Sequence, residues 1–167
     1  MENSSLKSSY LCVPFIYMNE EKWMRLALKE AEKAESEDEV PVGAVIICGG
    51  KVIAQAHNRK EATKKATAHA EILAIEKANK KIGDWRLLDC ELYVTVEPCA
   101  MCVGAIIQAR LKRLVYGTAD PKFGAVESVI KIFQQSGWNH YPEIISGVLK
   151  EESSQIIKRY FTKKRDK

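Results

Sequence analysis

Residues able to bind a soft metal ion recur in a spaced pattern near the middle of the chain. His69 lies two residues before Glu71, and Cys99 and Cys102 form a C-x-x-C pair directly after Pro98. A catalytic zinc site has three protein ligands and keeps its fourth position open for water. We therefore predict that His69, Cys99 and Cys102 bind one zinc ion, with Glu71 beside it as a proton-transferring group rather than a ligand.

The order of these residues is more specific than either half of the pattern. A lone C-x-x-C pair also occurs in redox motifs and zinc fingers, and a lone H-x-E pair carries little information. H-x-E followed by P-C-x-x-C is the pattern of the zinc-dependent nucleobase deaminases, in which the glutamate acts as general acid and base. The pattern predicts hydrolytic deaminase chemistry with Glu71 as the catalytic residue.

Both halves of the pattern are expected at helix starts. Residues 68–78 are rich in helix formers, and Thr67 is a plausible N-cap that would place the H-x-E pair in the first turn. Residues 92–96 indicate a buried strand, and Pro98 suits the first position of the next helix. A helix N-terminus and a metal both favour the thiolate form of cysteine.

A predicted hairpin brings further residues to the same place. Residues 42–47 and 52–56 are apolar runs on either side of Gly49-Gly50, which is a hairpin signal. The hairpin would bring Val40 and Pro41 next to Asn58, at the edge where ligands bind in open α/β sheets. We take Asn58, Val40, Pro41 and Ala70 as candidate substrate contacts, although Asn58 could equally be a turn residue.

The remaining cysteines are not expected to be ligands. Cys48 and Cys90 should lie buried at the far ends of their strands, and Cys12 lies near the N-terminus. No disulfide framework is indicated, so the compartment is expected to be reducing, and we assign the protein to the cytoplasm.

Alternating strand and helix patterns predict a three-layer α/β/α sandwich with a mixed five-stranded sheet. The expected strands are residues 42–47, 52–56, 92–96, 113–117 and 144–145, and further helices are expected from Asn19, over residues 126–133 and over residues 151–161. We assign residues 19–167 to one domain that ends in a basic helix. Residues 1–18 are assigned to an extension, with Met18 as a hypothetical start; its apolar part is too short to span a bilayer and is a poor signal peptide.

The charge is concentrated at the C-terminus. The formal net charge is only +4, but the last ten residues contain six basic residues, one acid and two aromatics. Basic side chains interleaved with aromatic ones suit binding to a nucleic-acid backbone and its bases. Arg159, Lys163 and Lys164 are therefore candidate RNA contacts, and a solvated terminus is the alternative.

The chain resembles the bacterial tRNA-specific adenosine deaminases of the cytidine/deoxycytidylate deaminase superfamily. The resemblance is carried by residues 39–44, 67–71, 92–102, 116–125 and 137–140, within a match from about residue 20 to about residue 162. It implies a cytidine-deaminase-like fold, a homodimer with one zinc ion per subunit, and conversion of the wobble adenosine of a tRNA anticodon stem-loop to inosine.

The resemblance also implies roles for single residues. Asn58 would contact the flipped base, while Asp120, Lys122 and Phe161 would lie near the bound anticodon loop. Two alternatives remain open at this point. The chain could deaminate a free nucleobase or nucleoside such as guanine, cytosine or cytidine, or it could be an RNA-binding module with a structural zinc.

Overall fold

The computed structural model describes residues 15–166, with side chains from residue 19 onward. Most of the predicted extension, residues 1–14, lies outside these residues, and Met18 falls within the first helix. The helices are α1 (Phe15–Ser36), α2 (Lys60–Thr63), α3 (Ala70–Ile82), α4 (Ala100–Ala109) and α5 (Lys150–Arg165). The strands are β1 (Gly43–Cys48), β2 (Lys51–His57), β3 (Cys90–Val96), β4 (Arg113–Thr118) and β5 (Glu143–Ser146).

The strands form one mixed sheet in the order β2-β1-β3-β4-β5, which confirms the predicted fold and leaves β2 and β5 at its edges. β1 is antiparallel to both neighbours, whereas β3, β4 and β5 are parallel. Gly49 and Gly50 both have positive φ, 56° and 71°, as a tight hairpin turn requires. The carboxyl ends of β2 and β3 consequently lie at the same end of the sheet, which we call the site end.

Helices cover both faces of the sheet because successive strand residues point in opposite directions. Ala44 and Ile46 of β1 pack in the core cluster that includes α3 and α4. Val45 and Ile47 pack in a second cluster with Met24 of α1. β1 thus supplies both cores, and the sheet forms the middle layer of the sandwich.

Several predicted boundaries were wrong. α1 begins at Phe15 rather than at Asn19, and α5 continues to Arg165. Residues 126–133 do not form the expected helix; only a 3-10 turn at Ile132–Gln134 is present. The backbone N–H groups of residues 126–128 donate to the carboxylate of Glu97, and those of Val129 and Ile130 both donate to the carbonyl of Gly124, so the i→i−4 hydrogen bonds of an α-helix are not made there.

The helix starts at the site end also differ from prediction. α3 begins at Ala70, so His69 is its N-cap and has extended backbone angles, while Thr67 lies outside the helix. α4 begins at Ala100 with Cys99 as N-cap, which places Pro98 before the cap. Both N-caps are therefore predicted metal ligands.

Within residues 15–166, the helices lack the combination of length and apolar character that crossing a membrane requires.

Candidate metal centre and active site

His69, Cys99 and Cys102 converge at the site end of the sheet. His69 Nδ1 lies 3.7 Å from Cys99 Sγ and 3.6 Å from Cys102 Sγ. Their ligand atoms all lie within 4.8 Å of one another, and these three residues form the one such group of His, Cys, Asp and Glu among the described residues. The residues of the sequence pattern therefore place three possible metal-binding atoms close together in the structure.

The spacing of the three atoms fits a zinc ion. With a Zn–S bond of about 2.3 Å and a Zn–N bond of about 2.0–2.1 Å, a tetrahedral ion separates nitrogen and sulfur ligands by about 3.6 Å. The two observed N···S distances, 3.7 and 3.6 Å, match this separation. Two thiolates and one imidazole form a donor set that suits zinc and leaves one position open.

Glu71 lies in the first turn of α3, two residues after His69, and is 4% exposed. Burial raises the pKa of its carboxyl to about 7, while the nearby His69 opposes this rise. A carboxyl group with a pKa near neutrality can both accept and donate a proton at physiological pH. Glu71 therefore has the environment that a general acid and base requires.

The two cysteines differ in their protonation. A hydrogen bond with Cys102, together with a smaller contribution from His69, lowers the pKa of the Cys99 thiol to about 4. The hydrogen bond with Cys99 and burial raise the pKa of the Cys102 thiol. A hydrogen bond with Cys99 also raises the pKa of His69. Zinc binding would release the protons held by this cluster, because the ligands must be deprotonated.

Asn58 directly follows β2 and is 8% exposed. Its Oδ1 accepts a 2.9 Å hydrogen bond from the backbone N–H of Ala70, the residue after His69. The backbone N–H of Asn58 donates to the carbonyl of Val42 at 3.1 Å, so the hairpin closes as predicted. Half-buried Val40 and buried Pro41 precede β1 at the same end of the sheet. These candidate substrate contacts are thus brought toward the metal cluster.

Sequence reasoning missed two buried acids near this site. Glu39 is 2% exposed, and its Oε1 accepts a 2.7 Å hydrogen bond from the backbone N–H of Ala62 in α2. Glu97 is 2% exposed and lies two residues before Cys99. The sequence did offer a signal for Glu97, because it lies between a buried strand and the P-C-x-x-C motif. An acid buried at such a position needs hydrogen-bond or ion-pair partners.

Burial tends to raise the pKa of Glu97, but hydrogen bonds from the backbone of Glu127 and from Ser128 outweigh it, so this pKa is lowered. Glu97 is therefore ionised at neutral pH. Its negative charge is compensated by hydrogen-bond donors rather than by a basic side chain.

Lys122 and Phe161 lie on a shared groove of about 600 Å³. Its other lining residues are Ile157, Lys158, Thr162, Lys164 and Arg165. The Phe161 side chain is 46% exposed and makes an edge-to-face contact with Tyr160. The carboxylate of Asp120 points into its own loop, where it accepts hydrogen bonds from the backbone N–H of Lys122 at 2.9 Å and of Phe123 at 3.2 Å.

The other basic candidates of α5 form ion pairs with the end of α1. Arg159 binds the Glu35 carboxylate through two nitrogens, and Lys163 lies 3.3 Å from it. Lys164 binds Asp38 at 2.7 Å. These pairs position α5 against the α1–β1 connection.

Cys48 and Cys90 are register partners at the sheet end opposite to the metal cluster. Cys90 is buried as predicted, whereas Cys48 is only half-buried. All cysteines of residues 15–166 are free.

Comparisons with known proteins identify the family. The chain matches the MafB19-like deaminase family over residues 18–165. It is 44% identical to the tRNA-specific adenosine deaminase of Bacillus subtilis (strain 168), over 89% of this chain and 92% of that protein. The chain belongs to the MafB19-like deaminase family and to the tRNA-specific adenosine deaminases.

Solved structures share the fold. One comes from a study of A-to-I editing by tRNA:A34 deaminases at the wobble position of transfer RNA; it is 48% identical, with a TM-score of 0.79 over 81% of this chain and 98% of that one. A guanine deaminase from Bacillus subtilis is 31% identical, with a TM-score of 0.59 over 88% of this chain and 94% of that one. The same fold therefore occurs with a second substrate.

Proposed function

We propose that this protein catalyses zinc-dependent hydrolytic deamination of the wobble adenosine in a tRNA anticodon loop, producing inosine and ammonia. The observation that carries the proposal is the convergence of His69, Cys99 and Cys102 beside the buried carboxyl of Glu71. The similarity to tRNA-specific adenosine deaminases supports the choice of substrate.

His69, Cys99 and Cys102 would bind one zinc ion per subunit. When bound there, zinc supplies Lewis acidity that makes water a usable nucleophile near neutral pH. Glu71 would accept a proton from the attacking water, deliver it to N1 of adenine, and later help to protonate the leaving amino group. Its burial raises the pKa of this carboxyl to about 7, so that one residue can serve successive proton transfers.

Asn58 would orient the flipped base through its side-chain amide. Its Oδ1 is engaged by Ala70, and its Nδ2 has no hydrogen-bond partner within the described part of the chain. Val40, Pro41 and Ala70 would form the apolar wall of the base pocket. A single-stranded loop suits this site, because its bases leave the stack at lower cost than those of a duplex.

The groove with Lys122 and Phe161 would receive the anticodon loop. Phe161 offers an exposed ring for base stacking, and Lys122 offers a charge for the phosphate backbone. Asp120 would shape this surface through its turn. We retain Arg159, Lys163 and Lys164 as RNA contacts, with the condition that a phosphate must compete with Glu35 and Asp38 for them.

We also propose that residues 19–167 form one deaminase domain, that the chain starts functionally at Met18, and that the protein acts as a cytoplasmic homodimer. The single sheet and the match over residues 18–165 support the domain assignment. Exposed apolar side chains such as Trp85 and Leu88 support self-association. Mass spectrometry of natively expressed protein tests the start, and sedimentation equilibrium tests for twice the 18.8 kDa chain mass.

The decisive experiment compares substrates for the zinc-loaded protein. We expect inosine and ammonia from an anticodon stem-loop with adenosine at the wobble position. A stem-loop with guanosine at that position is the matched control. Free adenine, adenosine, cytidine and guanine should react at least a hundredfold more slowly.

Preferential turnover of free guanine would favour the second candidate, which rests on the structural similarity to a guanine deaminase. RNA binding with a fourth protein ligand to zinc and no turnover would favour a structural-zinc module. Neither outcome is compatible with the proposed reaction.

A further inference from the structure

Glu97 is surrounded by hydrogen-bond donors from a single loop. Its Oε1 accepts from the backbone N–H groups of Val126 (3.0 Å), Glu127 (2.8 Å) and Ser128 (3.0 Å). Its Oε2 accepts from the backbone N–H of Asp120 at 3.0 Å and from the hydroxyl of Ser128. One buried carboxylate therefore satisfies both ends of the segment 120–128, which we call the 120–128 loop.

The loop is also attached to the backbone next to Cys99. Gly124 forms an antiparallel bridge with Cys99, and the N–H of Ala125 donates to the carbonyl of Pro98 at 2.9 Å. A Cβ atom at Gly124 would lie 2.3 Å from Glu97 Oε2, so the loop packs too closely on this carboxylate to admit a side chain there. The shape of the loop is thus determined by Glu97 and by the absence of a side chain at position 124.

The outer part of this loop faces the proposed RNA groove. Lys122 lines the groove together with Phe161, and Asp120 stabilises the turn that presents Lys122. Glu97 itself is 2% exposed and lies behind this turn, so it cannot touch a bound RNA.

We propose that Glu97 is a positioning residue that holds the 120–128 loop in the shape that binds the anticodon loop. This inference rests on the proposed function. Glu97 acts through the loop and not on the reacting atoms. Its loss should therefore raise the KM for RNA more than it lowers kcat.

The test is Glu97→Gln, which keeps the size of the side chain but replaces one acceptor oxygen with an NH₂ group. If the remaining oxygen accepts from residues 126–128, the NH₂ faces the N–H of Asp120, donor against donor. Glu76→Gln is the matched control, since it makes the same substitution at an exposed position of α3, outside the loop and the groove. Gly124→Ala is the second variant, because it displaces the loop without changing the carboxylate.

We expect Glu97→Gln to accelerate amide hydrogen exchange across residues 120–128 and to raise the KM for the wobble-adenosine stem-loop about tenfold, with kcat within about threefold. Zinc content should stay unchanged. Gly124→Ala should raise KM in the same direction, and the double variant should add little to either single one, because both act on one contact. Glu76→Gln should change KM less than about twofold.

An active wild type whose Glu97→Gln and Gly124→Ala variants keep both KM and loop exchange unchanged would overturn the inference and leave the proposed function standing. Loss of zinc with a fall in kcat at unchanged KM would also overturn it, because Glu97 would then serve the metal centre. A wild type that does not deaminate the stem-loop would overturn both.

Discussion

The side-chain oxygen of Asn58 and the backbone N–H of Ala70 are joined by a hydrogen bond of 2.9 Å. This bond connects the end of β2 to the first residue of α3, and it satisfies one of the backbone N–H groups that a helix start leaves without an intrahelical partner. The helix that carries Glu71, and whose N-cap is His69, is thereby fixed against the hairpin.

Asn58 should therefore have two separable roles. Asn58→Asp keeps the acceptor for Ala70 but loses the amide donor toward the base, so we expect near-normal stability and a deamination rate at least tenfold lower. Asn58→Ala loses both, and its free energy of unfolding should fall by about 1 kcal/mol. Urea unfolding and stem-loop kinetics on both variants check this. Equal stability of the two variants would contradict the role of Asn58 in fixing α3.

Glu71→Gln should abolish deamination while leaving zinc and RNA binding intact. Glutamine has the size of glutamate but cannot carry the proton, and general acid–base groups contribute about 10²–10⁴-fold to rate. Single-turnover kinetics with zinc analysis measure both properties. Glu76→Gln, at an exposed position of the same helix, is the control. Activity of Glu71→Gln within a few-fold of the wild type would refute the assignment.

Cys99→Ala should lose zinc and activity together, but not the fold. The metal cluster lies at one end of the sheet, whereas both core clusters extend along its faces. We expect less than 0.1 zinc per chain, on the order of a tenfold or greater loss, with an unchanged far-ultraviolet circular dichroism spectrum. Cys48→Ala, at the opposite end, is the matched control and should retain zinc. Normal zinc stoichiometry in Cys99→Ala would remove this residue from the ligand set.

Phe161→Ala should weaken binding of the anticodon stem-loop by about 1–3 kcal/mol if the ring stacks on a base. The ring is 46% exposed, so folding should be unaffected. Lys122→Gln should instead reduce the dependence of affinity on salt, because it removes a phosphate contact. Fluorescence anisotropy at several salt concentrations distinguishes the two effects. Unchanged affinity in both variants would show that the groove does not bind RNA.

Glu35→Gln should destabilise the protein in a pH-dependent manner. The hydrogen bond from Arg159, with a smaller one from Lys163, lowers the pKa of Glu35 below its ordinary value of 4.5. The stabilisation is therefore present above pH 4.5 and is lost as the pH falls through the lower, folded-state pKa. Because Arg159 is largely exposed, we expect only about 0.5 kcal/mol at pH 7. Urea unfolding at pH 7 and below pH 4 should show this difference shrinking; a constant difference would contradict the role of the ion pair.

The features that could be predicted are those that a recognisable local pattern marks in the sequence. The β1–β2 hairpin follows from two apolar runs around Gly49 and Gly50, and the metal cluster follows from a motif whose spacing reflects two helix starts. The positions of Cys48 and Cys90 followed from strand length alone.

The features that could not be predicted depend on distant partners. Arg159 and Glu35 are 124 positions apart in the chain, so nothing near Arg159 indicates that it is paired. Residues 126–133 look helical by composition, but Glu97, about thirty positions earlier, fixes the 120–128 loop, and the N–H groups of Val129 and Ile130 donate to the carbonyl of Gly124 instead of making i→i−4 bonds. A charged side chain buried by the fold thus overrode a local preference.

The two edge strands limit how copies of this chain can associate. At the β2 edge, the ammonium group of Lys77 donates to the backbone carbonyl of Gln55 at 2.8 Å. At the β5 edge, the strand has only four residues, and Glu143 is paired with Arg113 at 3.0 Å. Short strands and charges at sheet edges oppose strand addition and the aggregation that follows from it. A continuous sheet across two copies is therefore disfavoured, and the expected homodimer contact falls on helices and loops.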